Sequence, residues 1–189
     1  SPARRLEAFM RDLYTHTRAI HLITRMVERR LALRPKSARR LPSLRSFFGG
    51  GKKTEMLDGF NIIDGELVPI SQRIFRDQPR RLMRVFLHAQ QRGLEFHPDL
   101  TQLLRDNVSL VNDDFIHDSE NHETFLEILN RRGDVAPALR AMHEVDLLGR
   151  YIPEFGRMTC LVQHEFFHAY AADEHTLVCL EKLDQVWGA

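Results

Sequence analysis

Cysteine is scarce in this chain: Cys160 and Cys179 are the only two, too few for the disulfide framework on which small secreted domains rely. Long apolar runs are missing as well, and no stretch approaches the ~18–20 uncharged apolar residues of a membrane-spanning helix. The opening residues, Ser1-Pro2-Ala3-Arg4-Arg5, carry neither an initiator Met nor the apolar region of a secretory signal. They read as the edge of a segment cut from something longer. A phosphate-binding loop is excluded too. Gly49-Gly50-Gly51-Lys52-Lys53-Thr54 lacks the Gly-x4-Gly-Lys-Ser/Thr spacing, and no apolar strand precedes it. A reduced, cytoplasmic compartment fits these absences.

What is present is 43% apolar residue content over 189 residues, enough for one core. The net charge of +1 conceals an asymmetry. Residues 1–53 hold 14 Lys/Arg against three acids, whereas residues 54–189 hold 13 against 23. A basic arm can bind polyanions. This one lacks the interleaved aromatics of a single-strand binder, so an acidic protein surface is the expected partner and nucleic acid is not.

Apolar residues at Leu6, Met10, Leu13, Thr17, Ile20, Ile23, Val27 and Leu31 step by three and four, which predicts one long amphipathic helix over 4–33. Thirty residues of helix span ~45 Å, enough to bridge domains. Pro35, Pro42 and the glycine run then make a basic linker. Phe60-Asn61-Ile62-Ile63 and Glu66-Leu67-Val68, joined by Asp64-Gly65, predict one short β-ribbon. The rest reads as helix. Pro79 suits a first turn before Leu82, Met83, Phe86, Leu87 and Gln90. Pro98 opens a second helix through Leu100, Leu103, Leu104 and Val108. A third runs over 121–130, stopped by Gly133, and a fourth over 135–145, with Leu147-Leu148-Gly149 ending it. The last is expected to start near Thr159 and break around Ala171-Ala172-Asp173. The fold class is all-α, with a helical connector, a long N-terminal amphipathic helix and one β-ribbon.

His164-Glu165-Phe166-Phe167-His168 matches the H-E-x-x-H pattern, in which two imidazoles one helical turn apart reach a single zinc ion and the Glu polarises water. A zinc protease also needs a third ligand. The extended pattern places Gly at 171 and His at 174, where this chain has Ala171 and Glu174. His175 comes one position late.

A longer pattern points elsewhere. Gly149-Arg-Tyr-Ile-Pro-Glu-Phe-Gly-Arg157, followed by Gln163-His-Glu-Phe-Phe-His-Ala-Tyr-Ala-Ala-Asp-Glu-His-Thr-Leu177, resembles the entry to the uridylyl-removing domain of bifunctional PII uridylyltransferases. That family commonly has Asp where this chain has Glu165, which undercuts the protease reading, because a zinc protease requires Glu there. Phe75-Arg-Asp-Gln-Pro79, Leu103-Leu-Arg-Asp106, Leu110-Val-Asn-Asp-Asp-Phe115, Phe125-Leu-Glu-Ile-Leu129 and Ala138-Leu-Arg-Ala-Met142 resemble the family's connector. The likeness covers about residues 56–186.

The resemblance implies a middle piece of a longer cytoplasmic enzyme of nitrogen regulation, cut so that no catalytic site is complete. One half of the family transfers UMP from UTP to the signal protein PII. The other, a metal-dependent HD domain, hydrolyses it off when glutamine is plentiful. The implied division is a helix leaving the transferase domain at 1–33, a basic linker at 34–58, a connector at 59–158 and the first HD helices at 159–189. His175 would be the first HD metal ligand, for Mg or another divalent ion, with its partners absent here. Gln78-Pro-Arg-Arg-Leu-Met-Arg84 with Gly93-Leu-Glu-Phe96 also resembles the neck of tRNA nucleotidyltransferases and poly(A) polymerases. That likeness puts Arg81 and Arg84 toward a nucleotide, with pairing to Asp77 or Asp106 on the helix surface as the other reading of the two arginines, and it makes an RNA-processing enzyme the alternative.

Overall fold

The computed structural model describes residues 2–31, 55–161 and 171–187. The amphipathic helix α1 runs over Pro2–Leu31, close to its expected bounds. A small sheet follows, with β1 (Glu55–Leu57), β2 (Phe60–Ile63), β3 (Glu66–Pro69) and, after two helices, β4 (Glu95–Phe96). The expected ribbon is β2–β3, in antiparallel register with Ile62 opposite Leu67 and Ile63 opposite Glu66. Its Asp64-Gly65 turn takes φ of 51° and 84°, the paired positive angles of the two-residue hairpin turn whose twist suits the strands. The sheet is wider than the sequence reading gave. A second Asp-Gly turn, Asp58-Gly59 with φ of 50° and 86°, adds β1 antiparallel to β2. Strand β4 adds parallel to β3. Strand β1 begins inside the stretch expected to be linker.

Between β3 and β4 lie α2 (Ile74–Asp77) and α3 (Arg81–Arg92). Leu82, Met83, Val85, Phe86, Leu87 and Gln90 of α3 are buried, which is the stripe that the three-and-four spacing predicts. Gly93 ends the helix in the left-handed conformation and donates its N–H to the Ala89 carbonyl. Phe96 of β4 meets Phe86 edge-on at 5.1 Å. The buried Gln90 amide donates to the Ile128 and Asp134 carbonyls, at 3.1 and 2.6 Å, and so pins α3 to the helix beyond.

The remaining helices are α4 (Pro98–Asn107), a 3-10 turn at Val108–Leu110, α5 (Asp113–Ile116), α6 (Ser119–Leu129) and α7 (Val135–Glu144). After them come α8 (Leu147–Tyr151), α9 (Pro153–Met158) and α10 (Ala172–Trp187). Helix α4 starts on Pro98, with the His97 ring accepting from the Asp99 N–H. Asp118 caps α6 by accepting from the Asn121 N–H at 3.0 Å. Asp118 also receives Arg80 at 2.6 Å, so one carboxylate both caps α6 and holds Arg80. Phe60, Phe75, Leu82, Met83, Leu100, Leu104, Ile128, Met142 and Leu147 form the centre of one core.

Two expectations need correction. Leu147-Leu148-Gly149 does not end α7; it starts α8, because Asp146 turns the chain at φ 63°. The helix expected to start near Thr159 does not include residues 159–161, whereas the break expected around Ala171-Ala172-Asp173 coincides with the start of α10. Helix α9 closes at Met158, Cys160 has φ 56° and α10 starts at Ala172. Residues 162–170, which include His164, Glu165 and His168, lie outside the described residues, as does the glycine run at 49–54.

Helices α8 and α9 meet glycine to glycine. A Cβ on Gly156 would run into the Gly149 carbonyl, and one on Gly149 would sit 3.0 Å from Gly156 Cα. Both neighbours are backbone and cannot swing aside. Gly156→Ala is therefore expected to cost ~1–3 kcal/mol by overpacking, read from urea unfolding, whereas Gly65→Ala costs only its turn strain, because nothing lies within 4 Å of a Cβ there.

Candidate functional site

Arg81 and Arg84 sit one turn apart on the face of α3 that meets the first hairpin turn. Their shared partner is Asp58. Arg84 closes a two-pronged bond on it, Nε to Oδ2 at 2.8 Å and Nη2 to Oδ1 at 2.9 Å. Arg81 adds Nε to Oδ1 at 3.2 Å, and His88 Nε2 lies 3.2 Å from Oδ2. The Arg81 guanidinium also lies against Gly59, where a Cβ would meet its Cζ at 3.1 Å. Burial alone would raise the Asp58 pKa, but the bonds from Arg84, Arg81 and His88 outweigh it and hold the carboxyl below its usual range. The sequence offers Asp77 and Asp106 as nearby partners. In the structure Asp77 faces Arg73 and Asp106 accepts from Gln102.

The second cluster surrounds α7, whose polar edge meets both α1 and α10. From α1, Arg18 donates to Asp146 at 3.0 Å and to the His143 carbonyl at 2.6 Å. Arg25 pairs with Glu144, and farther along α1 Arg30 reaches Asp99 at 3.2 Å. From α10, Glu174 and Glu181 both receive Arg140, at 2.9 and 2.6 Å. Beneath them His143 and Asp173 are buried together, with Nε2 3.2 Å from Oδ2. The Cys160 N–H donates to the same carboxylate oxygen at 3.2 Å. Burial opposes charge on Asp173, yet His143 and the N–H groups of Cys160 and Glu174 keep its pKa below the usual range. Burial pushes the Cys160 thiol up, which leaves it a poor nucleophile. A cavity of about 340 Å³ lies between α1 and this edge, lined by Tyr14, Arg18, Arg25, His143 and Asp173 among others.

His175 lies on the exposed side of the first turn of α10, with Nε2 3.7 Å from Cys179 Sγ. Among the described residues no three His, Cys, Asp or Glu side chains converge on one point. His175 and Cys179 together supply too few ligands for a divalent ion, so a metal held here needs ligands from outside the described residues. The structure thus keeps the three sequence-marked residues apart in role: Arg81 and Arg84 share one carboxylate, and His175 stands on another helix. Reasoning from sequence missed Asp58, although Asp58-Gly59 between Leu57 and Phe60 repeats the Asp64-Gly65 signal. It also missed His143, which shares the apolar face of Ala136, Leu139 and Met142 on α7.

Asp58→Ala is expected to cost about 2–3 kcal/mol, since it leaves two half-buried guanidiniums without their anion. Both depressed carboxylates also set the acid limb of stability. Their contribution is complete above about pH 4, the ordinary carboxylate value, and is lost as pH falls through the lower folded-state values. Asp58→Asn and Asp173→Asn should each flatten that limb in denaturation curves taken from neutral pH downward.

Residues 60–151 match the family model described as the uridylyltransferase GlnD third domain. A bifunctional uridylyltransferase/uridylyl-removing enzyme of Cereibacter sphaeroides is 31% identical over 183 residues, which is 97% of this chain and 19% of that protein. One from Azospirillum brasilense is 38% identical over 131 residues, 69% of this chain and 14% of that protein. No solved structure matches. The chain thus spans less than a fifth of the length of these curated relatives. With the resemblance in its motifs, the long matches and the mostly helical fold all in agreement, the chain belongs to the family of the uridylyltransferase GlnD third domain.

Proposed function

We propose that the chain is the connector of a bifunctional uridylyltransferase/uridylyl-removing enzyme, standing between a transferase half and an HD-type hydrolase half and fixing their register. One observation supports this above the others. The helices at the two ends, α1 and α10, are both fastened to the polar edge of α7, through Arg18 and Arg25 on one side and Glu174, Glu181 and Asp173 on the other. A piece whose end helices share one rigid support transmits position from one to the other.

In this reading α1 comes from the transferase side and α10 opens the hydrolase side, with His175 as the first metal ligand there. Its companions, and Mg or another divalent ion, would come with the rest of the parent. UTP, PII and the glutamine signal are likewise partners of the parent. Arg81 and Arg84 are assigned to holding the sheet on α3, because Asp58 already occupies both.

The chain alone is expected neither to uridylylate PII nor to release UMP from PII-UMP. In the intact parent, His175→Ala should abolish release while leaving transfer largely intact, as read from labelled UMP. Release at the wild-type rate by the His175→Ala parent would overturn the assignment of α10.

A further inference from the structure

Helix α1 is amphipathic in an unusual sense: its apolar face points away from the other described residues. Leu6, Leu13, Ile20 and Val27 recur every seven residues, with Phe9 and Ile23 three positions after the first and third of them. All are exposed, Phe9 at 61%, Ile20 at 66%, Ile23 at 55% and Leu31 at 70%. At 100° per residue they fill one band of the helix, and Arg11, Arg18, Leu22 and Arg25 lie on the opposite side. That opposite side holds the bonds to Arg157, His143, Asp146 and Glu144. Among the described residues nothing covers this apolar repeat, which His16 and Arg30 interrupt at the positions three after Leu13 and Val27, while Arg11, Arg18 and Arg25 are spent inward. Such a face marks an interaction surface.

Its chemistry narrows the occupant. The flanks of the seam carry Met10, Thr17, Ala19, Thr24 and Met26, so they are small or apolar rather than charged. The charged flanks that set partner choice in a two-stranded coiled coil are missing, apart from Arg5 and Asp12 near the start. An apolar stripe widened beyond its two seam positions is the pattern of a helix in a bundle core. The family match adds the order of parts. It starts at residue 60 and is a third domain, so α1 precedes it, on the side of the domain before. We infer that the outward seam of α1 is covered by apolar helices of that preceding domain of the same polypeptide, making α1 a shared wall: apolar contact on one face and ion pairs on the other. The inference rests on the connector reading only for which side α1 faces.

The test compares thiol accessibility in the 189-residue chain and in the intact parent. Leu13→Cys, Ile20→Cys and Val27→Cys are made singly with Cys179→Ser, and alkylation is timed against the denatured chain. Expected is reaction near the denatured rate in the 189-residue chain, which should run as a monomer by light scattering. In the parent, reaction should be roughly a hundredfold or more slower, as when labelling waits on the opening of a packed interface. A second variant reports without thiols: Ile20→Asp should leave the melting temperature of the 189-residue chain unchanged and lower that of the parent. Equal labelling in both proteins would overturn the inference. So would a dimer of the 189-residue chain with protected seam thiols, which would make a second copy the occupant. Neither result bears on the His175→Ala outcome, so failure here and failure of the connector reading are told apart.

Discussion

Arg18 reaching from α1 to the C-terminal end of α7 is the contact from which the architecture is best understood. Its guanidinium takes the His143 carbonyl and the Asp146 carboxylate together, at the C-terminal end of a helix, where positive charge is favoured. Asp146 can present that carboxylate because it turns the chain in a left-handed conformation, and the same turn starts α8. The side chain of His143, on the other side of that backbone, meets Asp173 of α10. One helix end therefore satisfies both terminal helices at once. Without it α1 would keep only its bonds from Arg11 to the Arg157 carbonyl, Arg25 to Glu144 and Arg30 to Asp99.

The two charged clusters solve the same problem at different depths. Around Asp58, three basic side chains share one carboxylate at the rim of the core. Around Asp173, one imidazole and one backbone N–H approach a carboxylate that is nearly sealed from water. A buried pair of that kind adds less net stability than its geometry suggests, but breaking it is costly, because the surviving charge has no solvent. It specifies an arrangement more than it strengthens one. That suits the connector role proposed above, which requires parts to be held in register. The acidic excess of residues 54–189 finds a use in the same way, since Glu144, Asp146 and Asp99 receive arginines of α1.

Much of this was legible in the sequence where burial follows a period. The stripe of α3, the start of α4 on Pro98 and the length of α1 are all set by apolar spacing and by proline. The Asp64-Gly65 hairpin was legible because the turn demands positive φ at two successive residues. Short elements with no such turn to mark them were not: β4, α5 and α9 are too short to carry a period. The partner of Arg81 and Arg84 was hidden for a different reason. Local candidates such as Asp77 and Asp106 look sufficient in sequence, whereas Asp58 becomes a neighbour only when the hairpin folds back onto α3. Likewise, the periodicity of α1 announces an apolar face without saying which side of the helix meets the rest of the chain.

The central claim is that α7 fixes α1 and α10 relative to each other. Spin labels at Thr24→Cys and Lys182→Cys, with Cys179→Ser and the buried Cys160 left in place, would read that distance directly by pulsed electron resonance. The account predicts a single narrow distribution in the otherwise unchanged chain, and a broad one when Arg18→Ala and His143→Ala remove the shared support. A distribution that is already broad with all the contacts intact, or one that stays narrow after both changes, would contradict it.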